Sequence, residues 1–149
     1  MESTDVLVIG SGIAGLCAAI EAARTGATVT VASAGKTMSG SSFFPGTWGL
    51  GLIGPVNEDD EQDLIDTIQT VGGGVADPEL VQAFVHGIPQ AIDWLEQDLG
   101  VELQRPQSAK SAQQKQFIPC FDHKTRMWRG LTRKPLEDAL TTWIESLGI

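Results

Sequence analysis

At 149 residues, with 42% hydrophobic and 19% charged side chains, the chain is long enough to bury an apolar core and too apolar to stay disordered. A formal net charge of -9 at pH 7 repels phosphate polymers and anionic lipid surfaces, so nucleic acid is not an expected partner. Cys17 and Cys120 are too few and too far apart for a disulfide framework or a zinc site, and no metal is expected.

Asp5 to Ile9 is a short continuous apolar run ending in glycine, the pattern of a central parallel strand buried on both faces. The longer run from Val6 to Ile20 is interrupted by Gly10, Ser11, Gly12 and Gly15, has acidic flanks and is too short to span a bilayer. Neither a signal peptide nor a transmembrane segment is expected, which leaves the cytoplasm as the default compartment. From Ile13 to Thr25 the chain is Ala-rich, with Leu16, Ala19, Ile20 and Ala23 at helical spacing and Gly26 as the expected cap. Cys17 falls in this helix and reads as a packed thiol. Thr28 to Ala32 is β-branched and bounded by glycines, so it reads as a second strand parallel to the first.

Ser39 to Pro55 holds five glycines among Phe43, Phe44 and Trp48 and is expected to be an apolar loop packed on the core or on a bound cofactor. A helical segment should follow over residues 59–100. Its first helix, Asp59 to Val71, has Leu64, Ile65, Ile68 and Val71 at helical spacing after an acidic first turn. Asp77-Pro78-Glu79 starts the next, which leads into Leu80, Val81, Phe84 and Val85 and should stop or kink before Pro89. A third is expected from there to Gly100 with Ile92, Leu95 and Leu99 on one face. Residues 105–116 read as a mobile loop, Phe117 to Phe121 as a short strand, and Pro135 to Leu147 as a terminal helix with Leu136, Leu140, Trp143, Ile144 and Leu147 inward and Gly148 as its cap. A doubly wound sheet needs more strands than these, so the expected class is α/β with a Rossmann-like βαβ unit, additional helices and an incomplete parallel sheet. The chain is accordingly expected to be the N-terminal part of a longer protein, the rest of this domain and a substrate domain being absent.

The chemistry concentrates in Gly10-Ser11-Gly12-Ile13-Ala14-Gly15, a G-x-G-x-x-G run between strand and helix. Gly10 allows the tight turn, Gly12 lets backbone N–H groups approach a pyrophosphate, and Gly15 lets helix and strand pack closely. The pyrophosphate then meets the helix N-terminus, where orphan N–H groups and the dipole favour an anion. At the end of the second strand, where dinucleotide folds commonly place Asp or Glu against a ribose hydroxyl, stands Ser33. Serine still bonds a hydroxyl but weighs against a simple NAD site, and with only Lys36 nearby NADP is a weak candidate.

Ser33-Ala34-Gly35, Gly40-Ser41-Ser42-Phe43-Phe44 and the glycine-rich run to Gly51 resemble the N-terminal region of the fumarate reductase, succinate dehydrogenase and L-aspartate oxidase flavoproteins. The resemblance continues more loosely through Asp77 to Val81, Ala91 to Leu95 and Gly100-Val101. It implies an FAD-binding domain in which Ser33, Ala34, Gly35, Ser41 and Ser42 line the adenosine and pyrophosphate side while Trp48 and Gly49 begin a stretch passing near the flavin. Ala34 replaces a frequent lysine, and Pro45 to Gly49 depart from the usual Ala-Gln-Gly-Gly run. No histidine precedes Ser42 for covalent attachment, so the implied FAD is non-covalent. The implied function is the FAD-binding portion of an oxidoreductase that moves a hydride between flavin and a small carboxylic acid, with a redox partner in the full-length protein.

The family's substrate-side residues would lie mostly beyond this length, so no catalytic residue is assigned. The cluster Lys124, Arg126, Arg129, Arg133 and Lys134 could attract a small anion, and Asp122 to Arg126 with Arg129 could orient a carboxylate; ordinary loop polarity is the competing reading. His123 is the member of that group able to titrate near neutrality, and His86 reads as a packed or surface histidine. Two alternatives stay open: an NAD-binding Rossmann module, and a truncated non-catalytic nucleotide-binding or interaction fragment.

Overall fold

The computed structural model describes residues 3–44, 49–106 and 126–149, in two units: Met1–Leu50 with Thr132–Ile149, and Gly51–Leu131. Trp48, most of the loop expected over 105–116, the strand expected over Phe117 to Phe121, and with them Cys120, Asp122, His123 and Lys124, lie outside the described residues.

In the first unit β1 (Val6–Ile9) and β2 (Val29–Ala32) pair in parallel, Val6 opposite Val29 and Ile9 opposite Ala32. The crossover that parallel strands require is α1 (Ile13–Arg24). Gly10 turns the chain with φ +112°, and a Cβ at Gly15 would overlap the Gly10 carbonyl oxygen and stand 3.1 Å from its carbonyl carbon. Only glycine therefore lets α1 lie on β1, with Leu16, Ala19 and Ile20 buried beneath it. Cys17 is half-buried in α1, and burial pushes its thiol above the ordinary value. The strand starts are tied by Asp5, whose carboxylate accepts from the Thr28 hydroxyl at 2.6 Å and the Thr28 N–H at 2.8 Å.

The expectation that β1 is covered on both faces is not met. Leu7 is 56% and Ile9 84% exposed, while Val6 and Val8 are half-buried on the α1 side. The continuous apolar run encodes two buried faces, and the described residues cover one.

The last helix, α4 (Arg133–Leu147), packs on α1 through Leu136 and Leu140 and stops at Gly148, φ +68°. Trp143, Ile144 and Leu147 are half-buried, and the Arg24 guanidinium sits 5.4 Å from the Trp143 ring centroid. The helix begins two residues earlier than expected, supported by the i,i+4 pairs Arg133–Glu137 and Lys134–Asp138.

In the second unit a strand replaces part of the loop expected over Ser39 to Pro55. β3 (Gly49–Gly54) forms a two-stranded sheet with β4 (Met127–Thr132), a strand the sequence reading did not anticipate. Glycine in β3 allows close packing: a Cβ at Gly51 would lie 2.8 Å from Trp128 Nε1, and one at Gly54 would lie 2.6 Å from Ile88 Cγ2. Tertiary pairing thus overrides a composition that reads as loop. β4 also bridges Gln104 antiparallel through Gly130.

α2 (Glu58–Val71) starts at Asn57, whose side chain accepts from the Asp60 N–H, and buries Leu64 and Ile65; Ile68 is half-buried and Val71 is exposed. α3 (Pro78–Asp93) starts with the Asp77 cap and runs straight through Pro89 into a π turn, Trp94–Asp98, rather than breaking there. Proline inside a helix costs ~3 kcal/mol or more. Ile88, Ile92, Leu95 and Leu99 stay buried along one continuous stripe, and at ~1.5–3 kcal/mol each they outweigh it. The π turn closes with Leu99 N–H to Trp94 O at 2.9 Å, before Gly100 in the left-handed region. Leu80 (69%) and Phe84 (61%) face outward, and Val81 and Val85 take the core side.

Arg126 is fully buried in this unit. Its guanidinium pairs with Asp60, donates to Asp63 Oδ2 at 2.7 Å, and reaches the Asp60 carbonyl at 3.3 Å and Thr67 Oγ1 at 3.4 Å. All are on α2 at spacings of three and four residues, one helix face. Asp60 additionally accepts the Val56 N–H at 2.9 Å, so one carboxylate joins the helix cap to the buried cation.

Two outcomes follow. Arg126→Met should lower stability by about 3–5 kcal/mol in urea unfolding, since two carboxylates lose their buried counter-charge. Arg126→Lys should recover only part, lacking the planar fork; a loss below ~1 kcal/mol for Arg126→Met would show that Asp60 and Asp63 are not held by it. At Asp5, bonds from the Thr28 hydroxyl and then the Thr28 N–H hold the carboxyl below its ordinary value. Its stabilising effect is therefore complete at neutral pH and is lost as pH falls below ~4 through the depressed folded value. Asp5→Asn should melt lower than wild type at neutral pH and converge with it in acid; a gap that persists through the acid range would sink this account.

Candidate functional site

A cleft of about 240 Å³ opens at the N-terminus of α1. One wall is the glycine turn, where Gly10, Gly12, Ile13, Ala14 and Gly15 meet the end of β1 at Ile9. The other is Gly40, Ser41 and Ser42. The volume lies below the roughly 300–1,000 Å³ of sites that enclose a whole small ligand, so it suits one segment of a longer molecule.

The electrostatics favour an anion. No side chain caps α1 at Gly12 and no acidic residue stands in its first turn, where N–H groups have no intrahelical partner. An oxygen-rich anion is the complement to such a helix end.

The second wall is carried over the turn by the backbone. Met38 adopts φ 60°, an uncommon value for a side-chain-bearing residue, and its N–H bonds the Ser11 carbonyl at 3.1 Å. A Cβ at Gly40 would stand 2.9 Å from Gly12 Cα, so glycine at position 40 permits the approach. A Cβ at Gly12 would meet Gly40 Cα at 3.7 Å, an ordinary contact. The short 3₁₀ turn Ser41–Phe43 then anchors the wall through buried Phe43.

Ser11, in the glycine turn, and Ser33, just past β2, are not among the residues lining this cleft. Ser11 is 3% exposed, and its hydroxyl bonds Ser33 Oγ at 2.8 Å and lies 3.3 Å from the Lys36 carbonyl. Ser33 is exposed, one residue past Ala32, whose carbonyl takes the Gly10 N–H at 2.8 Å. Ala34 and Gly35 are exposed on the loop beyond, outside the cleft wall. Gly49 starts β3, and Trp48 lies outside the described residues.

Gly40 and Ile9 belong to the cleft and were not among the expected site residues. Gly40 was visible only as a residue before a serine pair; its role is a contact across twenty-eight positions that no local pattern announces.

The described members of the basic cluster do not form an anion site. Arg126 is consumed internally, and Arg133 and Lys134 pair along α4. Arg129 bonds the Trp128 carbonyl at 2.9 Å and lines a separate cleft of about 360 Å³ that also presents Glu58, Glu61 and Asp93. A carboxylate entering there would face three like charges. His86 is a surface histidine, its Nε2 3.8 Å from Glu61 Oε2.

Comparison with known proteins agrees with this geometry. The family model described as "FAD binding domain" matches residues 5–144. An L-aspartate oxidase of Halobacterium salinarum is 44% identical over 100 residues, covering 66% of this chain and 19% of that protein. Among solved structures, a 3-ketosteroid-delta4-(5alpha)-dehydrogenase from Rhodococcus jostii RHA1 superposes with TM-score 0.71 at 22% identity, over 98% of this chain and 36% of that one. The open conformation of a flavocytochrome c3 fumarate reductase gives TM-score 0.67 at 23% identity, over 99% and 26%. The chain thus spans about a fifth of the length of the curated relative and shares the α/β fold of these flavoenzymes. With a glycine turn, an uncapped helix end and a family match over nearly its whole length, this chain belongs to the FAD-binding domain family and its cofactor is FAD.

Proposed function

We propose that the cleft at the N-terminus of α1 receives the FAD pyrophosphate, with the adenosine running toward Ser33 and the loop through Ala34 and Gly35. The supporting observation is the uncapped, acid-free first turn of α1 facing a gap between two glycine-bearing backbone segments. Gly10, Gly12, Ile13, Ala14 and Gly15 present backbone to the phosphates, and Ser41 and Ser42 contribute from the opposite wall. Binding is non-covalent in this reading, with Trp48 and Gly49 on the flavin side. FAD, when bound, supplies the redox chemistry; the residues of this chain bind and orient it.

For the whole protein the reading is a cytoplasmic flavin-dependent oxidoreductase acting on a small carboxylic acid with a separate redox partner. Its support is the curated relative's name, L-aspartate oxidase. Among the described residues no helix is long and apolar enough to cross a membrane.

Gly12→Ala separates folding from binding. The structure has room for that Cβ, which would project toward Gly40 across the mouth of the cleft. The variant should melt within a few degrees of wild type yet bind FAD at least about tenfold more weakly in a flavin-fluorescence titration. Unchanged FAD affinity in a folded Gly12→Ala chain would place the pyrophosphate elsewhere.

A further inference from the structure

Among the described residues every positive φ belongs to glycine except that of Met38, at 60°. A left-handed backbone is uncommon beneath a side chain and persists where the surrounding contacts over-determine it. Around Met38 they do. The Ser11 carbonyl takes the Met38 N–H at 3.1 Å, and the Ser11 hydroxyl lies 3.3 Å from the Lys36 carbonyl. A Cβ at Gly35 would stand 3.2 Å from Ser39 Oγ, and one at Gly40 would stand 2.9 Å from Gly12 Cα. The Phe43 N–H then bonds the Gly40 carbonyl at 2.9 Å, with the Phe43 side chain buried. We propose that Met38 is a positioning residue of the FAD site, whose left-handed backbone sets the wall of Gly40, Ser41 and Ser42 against the N-terminus of α1. This rests on the placement of FAD given above.

The wall touches the glycine turn twice, at Met38 on Ser11 and at Gly40 on Gly12. Two steps along the wall therefore run beside one step along the turn, and an extended segment, rising about 3.3 Å per residue, would overshoot the second contact. The positive φ of Met38 bends the run back. Both contacts are made by the main chain, so the thioether of Met38 supplies none of the geometry. A β-branched residue at position 38 resists the left-handed region, and to relax it the wall must leave Gly12 and carry Ser41 and Ser42 away from the helix end. Glycine and asparagine accept that region and keep the wall in place. The core beneath α1, formed by Leu16, Ala19 and Ile20 with Leu136 and Leu140, takes nothing from position 38 and is indifferent to the exchange.

The test reads FAD affinity by flavin-fluorescence titration, and melting temperature beside it, on the full chain. Met38→Val should bind FAD at least about tenfold more weakly than wild type while melting within a few degrees of it. Met38→Gly and Met38→Asn should rescue the affinity to within about threefold, so that the series follows left-handed preference and not side-chain size or polarity. Gly40→Ala, whose Cβ is forced onto Gly12 Cα, should lose a similar factor, and combining it with Met38→Val should add little, since both displace the same wall. Wild-type affinity in Met38→Val, or an equal loss in Met38→Gly and Met38→Asn, overturns the proposal. Should Met38→Val fail to fold, Gly40→Ala carries the test, and unchanged FAD affinity in that folded variant overturns the proposal too. If Gly12→Ala weakens FAD binding and Met38→Val does not, the placement of FAD stands and the role of Met38 falls; if Gly12→Ala leaves FAD binding unchanged, or wild type binds no FAD, both fall.

Discussion

The contact between Gly15 and the Gly10 carbonyl sets everything in the first unit. A side chain at position 15 would occupy the space of that carbonyl, so α1 can cross β1 only with hydrogen there. Once it crosses, the helix must begin right after the turn, and its first N–H groups point past Gly12 into the cleft. Its inner face, Leu16, Ala19 and Ile20, then defines where α4 packs. One close approach of backbone to backbone thus determines helix direction, core position and the placement of positive dipole.

The second unit depends on charge rather than on small size. Burying the Arg126 guanidinium costs several kcal/mol of desolvation unless its donors are met. α2 meets them with Asp60, Asp63 and Thr67 from one face. The acidic first turn of α2 therefore does two jobs: it complements the helix dipole, and it neutralises a cation arriving just before β4. Arg126, which the sequence left open between a carboxylate-orienting cluster and ordinary loop polarity, is instead internal structure. Arg133 and Lys134 resolve in the same way into helix-surface pairs, which leaves this chain without the convergent cations that a dicarboxylate site requires among its described residues.

The hydroxyls of Ser11 and Ser33, 2.8 Å apart, join the glycine turn to the exit of β2. The turn motif and the β2 exit act as one polar unit, joined a second time where Met38 bonds the Ser11 carbonyl.

What the sequence determined by itself was the βαβ unit and the caps at Asp77 and Gly148, because each rests on local rules: β-branched runs, helical spacing, glycine at forced dihedrals; the family came from the resemblance of its motifs. Pro89, Gly51 and Gly54 misled for the same reason. Their local preference says break or loop, and only the burial of Ile88, Ile92, Leu95 and Leu99, or the pairing of β3 with β4 beside Trp128, reverses it. The cleft itself was half legible. Its glycine turn was plain, whereas Gly40 against Gly12, Ser11 against Ser33 and Arg126 against Asp60 and Asp63 join residues from twenty-two to sixty-six positions apart. Contacts at that separation depend on how the elements pack, and a linear pattern carries no record of which distant side chain will fill a given space or satisfy a given charge.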